Sequence, residues 1–142
     1  MLNLSEENIF LNCRAPSKKE AIKIAADALI QSGFAKTGFF EAMMAREKSV
    51  STYLGAGVAL PHCAKENIDL VIKTGFHLFQ FPQGVSWGAG KVAFVVVAVA
   101  AKHNEHLQVL ADIADLLGDE LKTTLLAQAT RKKDFIEQFE KQ

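Results

Sequence analysis

The chain has 142 residues, 49% of them apolar, and its 16 basic and 16 acidic side chains cancel to zero net charge. That length fits one domain over residues 1–142 with a sizeable core, and that apolar fraction excludes intrinsic disorder. The charge balance leaves no basic footprint for nucleic acid, and two cysteines, Cys13 and Cys63, are too few for a disulfide scaffold, so both are expected as reduced thiols.

The first residues, MLNLSEEN, lack the basic-then-apolar order of a secretory signal. NIFLNC (8–13) reads as a first strand. A helix follows, with Ser17 and Glu20 spaced as a capping box, Ile22, Ala25, Ala26 and Leu29 on one face, and Gly33 as its stop. TGFFEAMMAREKS (37–49) reads as a second helix with Phe40, Met43 and Met44 inward and Arg46 near its end. Residues 57–62 form a strand that stops at Pro61, and 70–81 form another, rich in β-branched and aromatic side chains. PQGVSWGAG (82–90) is expected as loop because of its proline and glycines. KVAFVVVAVA (91–100) is apolar on both faces, as a central strand between two helix layers would be. The apolar run 92–101 is only about half the ~20 residues a membrane helix needs, so a cytoplasmic protein without membrane insertion is expected. Three helices close the chain, the first with Leu107, Leu110, Ile113, Ala114 and Leu117 inward and Gly118 at its end. The order β-α-α-β-β-β-α-α-α predicts a three-layer α/β/α sandwich with a mixed central sheet.

Four histidines could carry chemistry. His77, mid-strand between Phe76 and Leu78, reads as a satisfied or edge-exposed strand residue, and His103, just before a helix, as solvent-exposed. His62 follows a proline at a strand end, and His106 lies in the first turn of the helix after the central strand; both fall where open α/β sheets form ligand crevices. Gly55, Gly57 and Pro61 restrict the backbone that aims His62.

Three chemistries use such residues. HNEH (103–106) and His62–Cys63 offer metal ligands, but strand neighbours point to opposite faces and no paired CxxC is present. The same alternation argues against a Cys63–His62 dyad. The third chemistry is phosphoryl acceptance by a neutral imidazole, which needs in-line positioning and cationic support. Arg46 and His106 are the candidates to supply that support, and a plain binding domain with a buried histidine remains the competing reading.

Four ordered blocks carry a resemblance. GVALPH ends in Pro-His; MMAREKSVSTYLGAG places Arg46 sixteen residues ahead of His62; KTGFHLFQFPQGVSWG and AAKHNEHLQVL complete the series. From about residue 8 to its end the chain resembles the IIA components of the bacterial sugar phosphotransferase system, mannitol/fructose family, closest to the mannitol type. The resemblance implies a phosphoryl relay: a phosphohistidine carrier protein, HPr, donates to His62, which passes the group to a cysteine of a mannitol-type IIB component during sugar uptake. It implies that Arg46 steadies the phosphoryl oxygens, that His106 hydrogen-bonds or stabilises charge at the same group, and that no metal or organic cofactor takes part. A regulatory, nitrogen-type IIA protein, acting by phosphorylation-dependent binding, shares the fold and the histidine and is the alternative. Cys63 stands where the family often has a small residue such as glycine. Mannitol IIA is often the C-terminal part of a longer transporter; with this chain starting at Met1, separate IIB and IIC chains are expected.

Overall fold

The first long helix starts where its cap stands. In the computed structural model, which describes residues 4–103 and 105–140 and the side chains of all of these except His106 and Glu140, α1 runs Lys18–Gln31. Ser17 Oγ accepts from Glu20 N at 3.3 Å, which satisfies one of the free N–H groups of the first turn. The helix ends in a Schellman motif: Gly33 takes φ +82° and donates to Ile30 O, while Phe34 donates to Leu29 O. α1 buries Ala21, Ile22, Ala25, Ala26 and Leu29. α2 spans Phe39–Ser49 and is centred on Phe39 and Met43, both buried. Phe40 and Met44, expected inward, are only half-buried.

Five strands make one sheet: β1 Ile9–Phe10, β2 Tyr53–Gly55, β3 Val58–Ala59, β4 Gly75–Gly88 and β5 Lys91–Ala100. Their order is β1-β4-β5-β3-β2. β1 pairs parallel with β4, and β3 parallel with β5; β4–β5 and β2–β3 are antiparallel, so the sheet is mixed as expected. β1 is shorter than the 8–13 read from sequence, β3 is shorter than the expected 57–62, so that His62 and Cys63 follow the strand rather than lie on it, and β2 was not foreseen. The glycines before His62 serve a hairpin: Gly55 faces Val58 across Ala56 and Gly57, both with positive φ, the geometry of a two-residue turn that matches strand twist.

The segment 82–90, expected as loop, corrects the sequence reading. β4 continues through it to Gly88, with an irregular register between Gln80 and Val85. Pro82 sits in that irregular stretch, where its missing N–H leaves no ladder bond unmade. Conversely, Lys65–Leu70 is a 3-10 turn, so β4 starts at Gly75 and not at 70.

After β5 come α3 His106–Leu117, α4 Glu120–Ala127 and α5 Lys132–Glu140. The sheet separates two cores. Phe79, Phe81, Val96, Ala98 and Ala100 meet α1 and α2 on one face. Leu78, Val95, Val97 and Val99 meet α3, α4 and α5 on the other, through Val109, Ile113, Leu117, Leu126 and Phe135. This is the three-layer sandwich. Leu107, expected inward, is exposed; α3 buries Val109 and Leu116 alongside Ile113 and Leu117.

Candidate functional site

Parallel pairing of β3 with β5 brings the C-terminal ends of both strands to one end of the sheet. There Pro61 O accepts from Val99 N at 3.1 Å, and His62 follows. His62 is 8% exposed, so its ring is lodged in the fold with only a margin at the surface. Its Nδ1 lies 2.6 Å from Leu60 O. A carbonyl oxygen only accepts, so Nδ1 carries the hydrogen, and in the neutral ring Nε2 carries the lone pair. The Leu60 peptide is itself fixed, since its N–H donates to Thr52 O at 2.9 Å.

Thr52 ties this loop to the end of α2. Its N–H lies 3.2 Å from each carboxylate oxygen of Glu47, and its hydroxyl donates to Glu47 Oε1. Lys18 Nζ reaches Glu47 Oε2 at 3.3 Å. Burial pushes the Glu47 carboxyl upward, but hydrogen bonds from Thr52 and Ser51 and the Lys18 charge more than offset it, and the net direction is below the usual value. Arg46, in the same last turn, donates from Nη1 to Val50 O. Thus the structure joins the helix end that bears Arg46 to the loop that bears His62. His106 opens α3, and its side chain lies outside the described residues. Residues on the loop ahead of it are tied to Thr74, the residue before β4: Thr74 Oγ1 accepts from Lys102 N at 2.9 Å and donates to Glu105 Oε1 at 2.7 Å.

Sequence reading missed Glu47, Thr52 and Thr74. Glu47 had a signal: it follows Phe39 and Met43 at i+8 and i+4, on the buried face. Between Arg46 and Lys48 it reads instead as part of a solvated charge run. Thr74 and Thr52 act through partners distant in sequence, and nothing local marks them.

The other candidates fall where the sequence expected. His77 is buried, with Asn8 Nδ2 donating toward its Nδ1 at 3.4 Å and Nε2 donating to Ser32 Oγ at 2.8 Å. Rings of Phe10, Phe34 and Phe79 surround it, and burial holds its pKa below the ordinary 6.5. His103 is exposed. Cys13 and Cys63 are both free thiols. Cys63 packs into the α1–α2 core, and burial, its largest influence, pushes its pKa up to about 11. Such a thiol is neutral at physiological pH and is a poor nucleophile. Among the described residues, no group of three or more His, Cys, Asp or Glu side chains is placed to hold a metal ion. A cavity of about 620 Å³, lined by Tyr53, Gly57, Val92, Phe94 and Thr123, lies at the opposite end of the sheet from His62.

Residues 3–142 match the family described as "Phosphoenolpyruvate-dependent sugar phosphotransferase system, EIIA 2". The multiphosphoryl transfer protein of Haemophilus influenzae is 44% identical over 135 residues, which cover 95% of this chain and 27% of that protein. The mannitol-specific EIICBA component of Escherichia coli is 38% identical over 139 residues, 96% of this chain and 22% of that protein. The chain thus spans about a quarter of the length of these two relatives. The Escherichia coli structure described as a complex of enzyme IIA-mannitol and phosphorylated enzyme IIB-mannitol matches with a TM-score of 0.91 at 37% identity, covering 96% of each chain.

Proposed function

The chain belongs to the EIIA 2 family of the phosphoenolpyruvate-dependent sugar phosphotransferase system, and on that premise we propose that residues 1–142 act as one mannitol-type IIA domain, a cytoplasmic phosphocarrier. HPr supplies the phosphoryl group, His62 accepts it, and a cysteine of a mannitol-type IIB component receives it for mannitol uptake. No helix among the described residues is long and apolar enough to cross a membrane.

One observation carries the reading: the contact of His62 Nδ1 with Leu60 O, which selects the tautomer. Nε2 then attacks the phosphorus of the carrier's phosphohistidine. A new N–P bond forms at Nε2 as the donor N–P bond breaks, and the electron pair of that bond returns to the donor nitrogen. Nδ1–H keeps its hydrogen throughout, so acceptance needs no proton transfer. In the second half-reaction a IIB thiolate attacks the same phosphorus, an S–P bond forms, and the pair of the broken bond returns to Nε2. The transferring group spreads negative charge over its equatorial oxygens, and positioned donors and cations carry most of the catalysis. Arg46 fills that role, because a guanidinium offers parallel N–H groups to two phosphoryl oxygens. His106, at the head of α3, contributes a hydrogen bond to the same group.

The test is phosphorylation from phosphoenolpyruvate with purified general phosphotransferase proteins, with wild type beside His62→Ala. Wild type takes up the group, its phosphorus NMR signal is that of an Nε2-phosphohistidine, and the variant, still folded, takes up none. Unchanged labelling of the variant would overturn the assignment. Onward transfer is then measured to mannitol-type and fructose-type IIB. A domain that accepts the group but passes it to neither is the regulatory type.

A further inference from the structure

Glu47 is an unusual residue for its place. It is 6% exposed at the end of a surface helix, and taking a carboxylate out of water costs several kcal/mol unless bonds replace its hydration. Those bonds come mainly from one residue. Thr52 offers a backbone N–H and a hydroxyl, and both point at the Glu47 carboxylate. Lys18 supplies the third donor. The Thr52 N–H and the Lys18 ammonium can only donate, and the carboxylate accepts from them and from the Thr52 hydroxyl at once; an amide would lose the charge that faces Lys18 and would need the Thr52 hydroxyl to turn and accept from its NH2.

Thr52 then acts on the next element. Its carbonyl accepts from Leu60 N, and Leu60 O accepts from His62 Nδ1. The short Leu60–Pro61 stretch is therefore held on two sides, by Thr52 on the β2 side and by Val99 of β5 through Pro61 O. The β5 side is part of the sheet interior. The Thr52 side rests on Glu47. We propose that Glu47 is a positioning residue for His62: through Thr52 it sets where the Leu60 carbonyl stands, and so which tautomer and which ring orientation His62 presents. The inference rests on the reading of His62 as phosphoryl acceptor, but its first test does not need that reading. Glu47 and Arg46 are neighbours on one helical turn, so the same anchor also fixes the stem of the arginine relative to the histidine loop.

The experiment uses the full chain labelled with 15N, as wild type, Glu47→Gln, Thr52→Ser and Thr52→Val. Imidazole 15N shifts of His62 report the tautomer, and steady-state transfer from phosphorylated HPr reports kcat and KM separately. Wild type and Thr52→Ser, which keeps both donors, are expected to show the Nδ1–H form predominantly. Glu47→Gln is expected to lose part of that population, with kcat about tenfold lower and KM for the carrier within twofold, because Glu47 is buried and offers a carrier little surface of its own. Thr52→Val, which keeps only the backbone donor, should fall between them. If Glu47→Gln does not fold, Thr52→Val decides the matter by the same readouts. Wild-type His62 shifts in the folded variants would overturn the proposal, and so would altered shifts with unchanged kcat. A wild type that shows the expected tautomer contrast but takes up no phosphoryl group would overturn the phosphocarrier reading and leave the positioning role standing.

Discussion

Cys63→Ala is expected to keep phosphoryl transfer within about twofold of wild type, although Cys63 is the residue next to His62. The thiol is 2% exposed among α1 and α2 side chains. With its pKa pushed up to about 11, about one thiol in a thousand is ionised at pH 8. An ordinary thiol of pKa ~8.5 is about one-quarter ionised there, so Cys63 carries roughly two orders of magnitude less thiolate, before its shielding is counted. The cost of the substitution lies in packing. Removing one buried sulfur forfeits about 1 kcal/mol, a fall of about 2–4 °C in Tm for a domain of this size. Two assays check the two halves: phosphoryl transfer together with thermal melting of Cys63→Ala, and the rate of iodoacetamide alkylation at Cys63 in the native protein, read by peptide mass. Loss of transfer comparable to that of His62→Ala would refute the reasoning and return the nucleophile to sulfur. Alkylation as fast as that of a free thiol would refute the burial argument.

Arg46→Lys should slow transfer about tenfold, since an ammonium cannot give two parallel hydrogen bonds, and one lost interaction of about 1.4 kcal/mol in the transition state is tenfold in rate; equal rates would remove Arg46 from the site. His77 has a folded pKa below 6.5, so the unfolded state takes the proton first, and stability present above that value is lost as pH falls through it. Urea unfolding at pH 7.5 and 5.5 should therefore show a drop in wild type that is smaller in His77→Gln. Gly75→Ala should cost about 1–3 kcal/mol, because the added methyl would strike the Phe34 ring, with Cζ only 2.7 Å away. Pairing it with Phe34→Leu should recover part of that loss in a thermal melt.

What could be read in advance follows from how local each signal is. Ser17, Glu20 and Gly33 act within one helix, and α1 begins and ends where they indicate. The valine run of β5 is apolar on both faces because both faces are covered, so composition alone located it. The stretch from Pro82 to Gly90 failed because the same residues make turns and strand irregularities. Gly84 has φ +77° and no room for a side chain beside Val92, which favours glycine there, while Val85 and Trp87 carry the strand onward into the core. Leu107 failed because helical spacing identifies a stripe but not its edge. At the candidate site, the place of His62 just past β3 was legible from Pro61, while the glycines ahead of it belong to the β2–β3 hairpin. Glu47, Thr52 and Thr74 were not, because their hydrogen bonds exist only after separate elements meet.

The sheet's two outer strands are short, two residues in β1 and three in β2, and β2 has an irregular register. Along these two strands themselves a partner finds only a short row of backbone N–H and C=O groups on which to add a strand of its own. A strand added along either one would gain few ladder bonds. The same short strands disfavour the stitching of copies of the chain into a continuous sheet through β1 or β2. For the phosphocarrier proposed above, which meets one partner, releases it and meets another, such edges reduce the tendency of copies to adhere to one another through strand pairing.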